Sequence, residues 1–495
     1  MRRALILISL IFSLTSLVSA SPTIIKGHAK GYEGRTIVFQ SQADPLSRIP
    51  VDIEAVTVDE DGTFTLSANI SEITRVSIDL SYYTAYIYLE PGVKYDVTLP
   101  PFRLRPDAER FNPFYEPRQI DLVINSSTSN LNHALRSLSR DFAKIYFPNA
   151  AKLTRRQDSK LADALIARLD SAVRKINCPN PFFRQQAHFL KARIYATARL
   201  SSPRMVLSKY FTMRPVALNV PAYWQTIDMI APEVLTQSPY KSIRSKLAEA
   251  MARKSPAADN LSAILSQDSL FSHSLQLREA LIVKDITDAY YAKHISEGRA
   301  DSLLTSAARS FRTHSVRIMA ANVYAKKNKL RAGLPAPDFS LTDNRGSEVQ
   351  LSSFRGRFLY LCFMHTQNYE CLKAMPALDN LAQVHRDNLD VLCVFTDERP
   401  EDAFRIVEKN GYTWKAISYI SSQRIIQDYR VAALPTYFLI DPDGCISIAQ
   451  APSPSENVGP AIASAIRQYI LTKRRGRPDV PRTIYDIANE AKPVK

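Results

Sequence analysis

The sequence predicts a multidomain α+β protein built from three folded parts. Three observations point to it. Short alternating apolar and polar runs, broken by Gly and Pro, fill the region to about residue 104. Amphipathic stripes at helical spacing follow, and strand-like and helix-like segments then alternate to about residue 472. At roughly 100–200 residues per domain, 495 residues are too many for one core. The expected partition is a signal peptide at 1–20, a β-sandwich domain at 21–104, an α-helical domain at 113–328, an α/β domain at 333–472 and a basic C-terminal tail at 473–495.

The leader has three recognisable pieces. MRR is a positive start, ALILISLIFSLTSLV is apolar, and VSA precedes Ser21 as a small-x-small cleavage site. The apolar run is short for a bilayer span of about 20 residues. No other run is long enough for a stable membrane span, so export and release are expected.

The first folded part reads as an antiparallel β sandwich. DGTFTLSANI opens on the Asp61-Gly62 turn, and RVSIDLSYYTAYIYLEPGVKYDVTLP is rich in β-branched and aromatic residues around Pro91-Gly92. Tyr82, Tyr83, Tyr86, Tyr88 and Tyr95 offer either a ligand face or ordinary half-buried sheet residues, and the second is expected. In the middle part, DSKLADALIARLDSAVRKI sets Leu161, Leu165, Leu169, Val173 and Ile176 on one stripe, with Asp158 or Ser159 as N-cap. Nothing in the middle carries chemistry; a spacer or docking module is expected. The charged linker KKNKLRAGLPAPDFSL opens the third part, whose strands FLYLCF, LDVLCVFTDE and LPTYFLIDPDGCISI alternate with helices around a central, mainly parallel sheet.

Composition excludes more than it identifies. The net charge of +16 is spread out and densest in KRRGR at 473–477, without a nucleic-acid-binding module, so a nucleic-acid partner is not expected. The tail reads as loose and solvated. Five cysteines are too few for a disulfide framework, and neither they nor the eight histidines have metal-ligand spacing, so no metal or cofactor is expected. Cys362 and Cys393 lie in apolar strands and read as core, with a cross-strand disulfide left open; Cys445 reads as edge-exposed after the Asp443-Gly444 turn.

The third part resembles a known family. LPAPDFSLTDNRGSEVQLSSFRGRFLYLCF, then CLKAMPAL, then LPTYFLIDPDG match, in order and spacing, the exported thioredoxin-like proteins of the TlpA/ResA and AhpC/TSA type. The resemblance implies a thioredoxin fold over about 140 residues, a cis-proline at Pro435 and a substrate-binding groove around Leu434, Pro435 and Thr436. The β-then-helical-then-thioredoxin layout also resembles exported proteins common in Bacteroidetes, which implies a periplasmic location and a protein or peptide partner in the envelope.

The redox turn departs from the family. The family pattern is C-x-x-C; residues 368–371 read N-Y-E-C. The resemblance places the attacking cysteine at Asn368 and the resolving cysteine at Cys371, and an amide cannot attack sulfur. Gln367 stands where the family has tryptophan. Peroxidase-like chemistry lacks its marks as well, since its threonine and proline positions carry Asn368 and Met364. The expectation is a degenerate site, unable to run dithiol exchange, in a protein that binds through the groove. The alternative is a thiol-disulfide oxidoreductase using Cys371 alone. His365, Gln367, Tyr369 and Glu370 flank the turn; His365 and Glu370 could polarise a thiol or contact a ligand, but read as solvated.

Overall fold

A computed structural model describes residues 22–106, 115–156, 158–199, 202–230, 241–343, 345–397, 399–420, 424–456, 458–474, 484 and 488. The leader at 1–20 and most of the tail lie outside the described residues.

Strands β1 (Thr23–His28), β2 (Thr36–Gln42), β3 (Pro50–Thr57), β4 (Thr63–Ala68), β5 (Thr74–Leu80), β6 (Tyr83–Leu89), β7 (Lys94–Thr98), β8 (Arg118–Asp121) and β9 (Val123–Ser127) make two sheets. Their orders are β4-β1-β7-β9 and β3-β2-β5-β6-β8, and Ile25, Phe39, Phe64, Ile78 and Val97 share one core between them. Gly27 in β1 pairs with Phe64 in β4, whose ring fills the space a side chain on Gly27 would need. Two corrections follow. The sandwich is mixed, because β1–β7 and β6–β8 run parallel. It also extends beyond residue 104: β8 and β9 join one sheet each, and the chain changes sheets at the buried Leu122. RQIDLVINSS carries the alternation of Ile120, Leu122 and Ile124 that marks a strand pair. Of the five tyrosines, Tyr95 is buried and the other four are half-buried.

The middle is helical. Its helices are α1 (Leu131–Tyr146), α2 (Ala150–Arg156), α3 (Ser159–Ile176), α4 (Pro181–Thr197), α5 (Pro203–Tyr210) and α6 (Pro221–Ile230), then α7 (Lys241–Ala252), α8 (Ala258–Leu265), α9 (Leu275–Tyr291), α10 (Glu297–Ser310) and α11 (His314–Asn328). Asp158 is the N-cap of α3, accepting from the Leu161 N–H at 3.1 Å. Leu46, Ile73 and Tyr88 of the β unit pack against this helical core. Ile484 and Ala488 pack there too, and the Ala488 carbonyl accepts from Arg317 at 3.1 Å, so this part of the tail is anchored rather than loose.

The third part has β10 (Ser340–Asp343), β11 (Glu348–Gln350), β12 (Phe358–Met364), α12 (Tyr369–Val384), β13 (Leu389–Phe395), α13 (Pro400–Asn410), β14 (Lys415–Ser418), α14 (Arg424–Asp428), β15 (Thr436–Ile440), β16 (Ile446–Ile448) and α15 (Gly459–Arg474). The strand order is β11-β10-β14-β13-β12-β15-β16. This is the thioredoxin arrangement of a central β12 between a parallel β13 and an antiparallel β15. The sheet is mixed rather than mainly parallel: only β12–β13 and β13–β14 run parallel. Short connections such as those joining β10 to β11 and β15 to β16 can only pair strands antiparallel. Every residue of β12 is buried. Tyr360, Cys362 and Met364 face the core under α12 and α15, while Leu359, Leu361 and Phe363 face Ile425 and Tyr429. Burial on both faces explains the unbroken apolar run FLYLCFM. Cys445 is buried, not edge-exposed, because residues 333–336 cover the β16 edge: the Ala336 N–H bonds the Gly444 carbonyl at 3.0 Å, and the Ile446 N–H bonds the Leu334 carbonyl at 2.8 Å.

Polar contacts join this part to the other two. Lys329 pairs with Asp428 at 2.7 Å, and Arg424 pairs with Asp52 at 2.8 Å.

Candidate functional site

The site forms where β12 ends, the usual place for function in an open α/β sheet. The chain leaves Met364, turns through His365–Asn368 and enters α12. Opposite lies the start of β15, with Phe363 and Thr436 in register, preceded by a cis peptide between Leu434 and Pro435. The turn and the loop therefore face each other at one end of the sheet.

Asn368 joins the turn and the loop. It is the N-cap of α12, and its Oδ1 accepts from the N–H groups of Glu370 at 2.9 Å and Cys371 at 3.3 Å. These are donors that a helix start leaves without partners. Its Nδ2 donates to the Leu434 carbonyl at 3.0 Å. One side chain thus satisfies the helix end and ties it to the proline loop.

Cys371 sits one turn inside and is fully buried. Burial pushes its thiol up to about 11, and the negative charge of Asp397 adds to that. A hydrogen bond with the His365 backbone opposes the shift without offsetting it. At neutral pH Cys371 is a thiol, not a thiolate. Cys362 and Cys393 are register partners on β12 and β13, fully buried, and all five cysteines are free. Burial holds the Cys362 thiol well above its ordinary range.

The flanking residues divide. Glu370 is exposed, as expected, and so are Gln367 and Tyr369. His365 is not solvated: it is buried, and its Nδ1 accepts from the Gln367 N–H at 3.0 Å. That bond requires a lone pair on Nδ1, so the ring carries its proton on Nε2. Asp397 Oδ1 approaches Nδ1 at 3.5 Å. The buried Asp397 accepts from the Thr366 N–H at 3.1 Å and from the Thr366 hydroxyl, which pins the turn. Thr366 and Asp397 escaped the sequence reading. The available signal was an acid at the end of the apolar strand LDVLCVF, on the sheet edge where the turn lies. Beside the turn, Tyr369 is 73% exposed and Leu372 39%. Among the described residues no cluster of His, Cys, Asp or Glu could hold a metal ion.

Residues 332–449 match the AhpC/TSA family. Over 124 residues the chain is 32% identical to the thiol-disulfide oxidoreductase ResA of Geobacillus kaustophilus, covering 25% of this chain and 71% of that protein. Over 122 residues it is 31% identical to ResA of Bacillus thuringiensis, covering 24% of this chain and 70% of that one. Among solved structures, the thioredoxin domain of a thiol-disulfide oxidoreductase from Bacteroides vulgatus aligns with 22% identity and a TM-score of 0.25, covering 28% of this chain and 97% of that one. By its C-terminal domain the chain belongs to the thioredoxin-like thiol-disulfide oxidoreductase family of the TlpA/ResA type. No helix among the described residues is long and apolar enough to cross a membrane.

Proposed function

We propose that this chain is an exported thioredoxin-like protein that does not run dithiol-disulfide exchange and instead binds a protein or peptide through the groove at Leu434, Pro435 and Thr436. One observation carries the proposal. Asn368 ties the helix start to the proline loop by hydrogen bonds, while the cysteine behind it is buried and protonated. The position open to a substrate disulfide therefore carries an amide. The Leu434 carbonyl already accepts one hydrogen bond, from Asn368, which leaves side-chain surface as the larger part of recognition. Exposed Tyr369 and Leu372 supply apolar area beside the loop. Export rests on the leader motif alone, and a mature chain beginning at Ser21 is its test by N-terminal sequencing.

The decisive experiment is trapping with glutathione disulfide, read by intact mass, on wild type and Cys371→Ser. The expected result is no adduct on the folded protein and an adduct only in denaturant. A fast adduct near pH 7 that disappears in Cys371→Ser would replace the binder with the single-cysteine oxidoreductase. In parallel, Thr436→Arg should abolish capture of the envelope partner while leaving the circular dichroism spectrum unchanged.

A further inference from the structure

A second, unrelated site lies between the β unit and the helical middle. A cleft of about 520 Å³ is walled by Ile73 on the approach to β5, by Phe182 and Phe189 of α4, and by Val216 and Leu218 of the α5–α6 connection. A neighbouring cleft of about 460 Å³ is lined by Arg184, His188 and Lys191 of α4, and Arg214 and Gln185 line both. The two clefts are therefore neighbours that share Gln185 and Arg214, the first mainly apolar and the second mainly cationic. Each is of the size that holds small ligands.

The walls are held in place from both domains. Asn219 donates to the Ile73 carbonyl at 3.0 Å, and the Val216 N–H donates to Gln276 Oε1 at 3.1 Å. His188 Nε2 is fixed on the Tyr210 carbonyl at 3.2 Å, and Lys191 is paired with Asp170 at 3.0 Å. Glu72, the carboxylate lining the first cleft, lies 3.4 Å from the Asn219 amide. The charge left over is on Arg184 and Arg214, neither of which forms an ion pair among the described residues. Gln185 has no hydrogen-bond partner among the described residues, and the amide nitrogen of Gln276 adds a donor to the rim.

We propose that this interdomain cleft binds the C-terminal end of an apolar peptide. Two guanidinium groups suit a terminal carboxylate, which accepts their paired N–H donors. The Ile73, Phe182, Phe189 and Leu218 walls take the last apolar side chains. The side-chain amides of Gln185 and Gln276 match peptide carbonyls. The site needs both domains, which gives the helical middle a role beyond spacing.

The test uses the mature full chain and a fluorescein-labelled hexapeptide, Gly-Gly-Ser-Leu-Val-Leu, as free acid and as C-terminal amide, with binding read by fluorescence anisotropy. The acid should bind at least tenfold more tightly than the amide. Arg214→Glu and Leu218→Arg should each weaken the acid at least tenfold, and Thr436→Arg should leave it unchanged, which separates this site from the C-terminal groove. Equal binding of acid and amide, undiminished binding by Arg214→Glu, or no binding up to about 1 mM protein overturns the proposal. Decanoate displacing the probe at lower concentration than unlabelled peptide also overturns it, in favour of a lipid carboxylate.

Discussion

The two sides of the C-terminal site differ in what they carry. The loop side carries LPTYFLIDPDG and its cis peptide in the arrangement expected of the family. The helix side carries Asn368 at its start, in the sequence N-Y-E-C. A helix start needs an acceptor for its first N–H groups, and an amide oxygen serves as well as a thiolate. Asn368 satisfies that demand and adds a donor that reaches the other side. The comparison teaches that Asn368 supplies hydrogen bonds at this position, whereas thiol exchange there would need sulfur.

The largest test restores the sulfur. Asn368→Cys would place a thiol at a half-buried helix start, where such groups ionise near pH 7. With Cys371 at about 11, only about one thiol in 10⁴ is ionised there. Allowing for the weaker nucleophilicity of an acidic thiol, reaction with an aromatic disulfide at pH 7 should rise by about 10²–10³-fold over wild type. No rise in a stopped-flow assay would mean that something other than residue 368 blocks the site.

The next prediction concerns alkaline stability. Cys371 is raised from 9.0 in its ordinary state to about 11 when folded. Its contribution is therefore fully present below about pH 9 and is lost as pH rises through about 11. The loss should be about 2–3 kcal/mol. Urea unfolding of wild type and Cys371→Ala should show their stability difference shifting by that amount between pH 8 and 11; a constant difference would contradict the buried, protonated thiol.

Removing the bridge itself is milder. Asn368→Ala should cost about 1–2 kcal/mol locally, read as roughly 5–30-fold faster hydrogen exchange of the 369–372 amides. Asn368→Asp keeps the cap and loses the donor to Leu434, so it should restore protection at the helix start while leaving the loop looser. If both variants match wild type, the bridge does not hold the two sides.

The smallest effect is expected on the loop side. Arg424 of α14, upstream of the loop, pairs with Asp52 and with Asp428, and all three side chains are partly exposed. Such pairs contribute about 0–1 kcal/mol. Arg424→Ala should move the thermal midpoint by less than about 2 °C in calorimetry. A larger drop would show that docking against the β unit supports the loop side.

Much of this site is readable in one dimension. Asn368, Cys371 and Pro435 hold fixed positions within motifs, and position alone relates them to strand, helix and loop. His365 and Asp397 are different. They lie 32 residues apart in sequence, and only the parallel pairing of β12 with β13 brings the turn and the acid together. The same holds for β8 and β9, whose alternation is visible but whose places at two separate sheets are set by the strands they meet.

The sequence by itself determined the three-part order, the apolar strands buried on both faces, the amphipathic helices and the absence of a cysteine at position 368. Each is a local pattern of side chains, and local patterns set period and chemistry. The tertiary structure decided which direction each strand runs, that Cys445 and His365 are buried, and that residues 484 and 488 return to the helical core. It also decided that Asn368 reaches Leu434 across 66 positions of chain. Those outcomes depend on which surfaces meet in space, and burial and hydrogen bonding are properties of the meeting rather than of either partner.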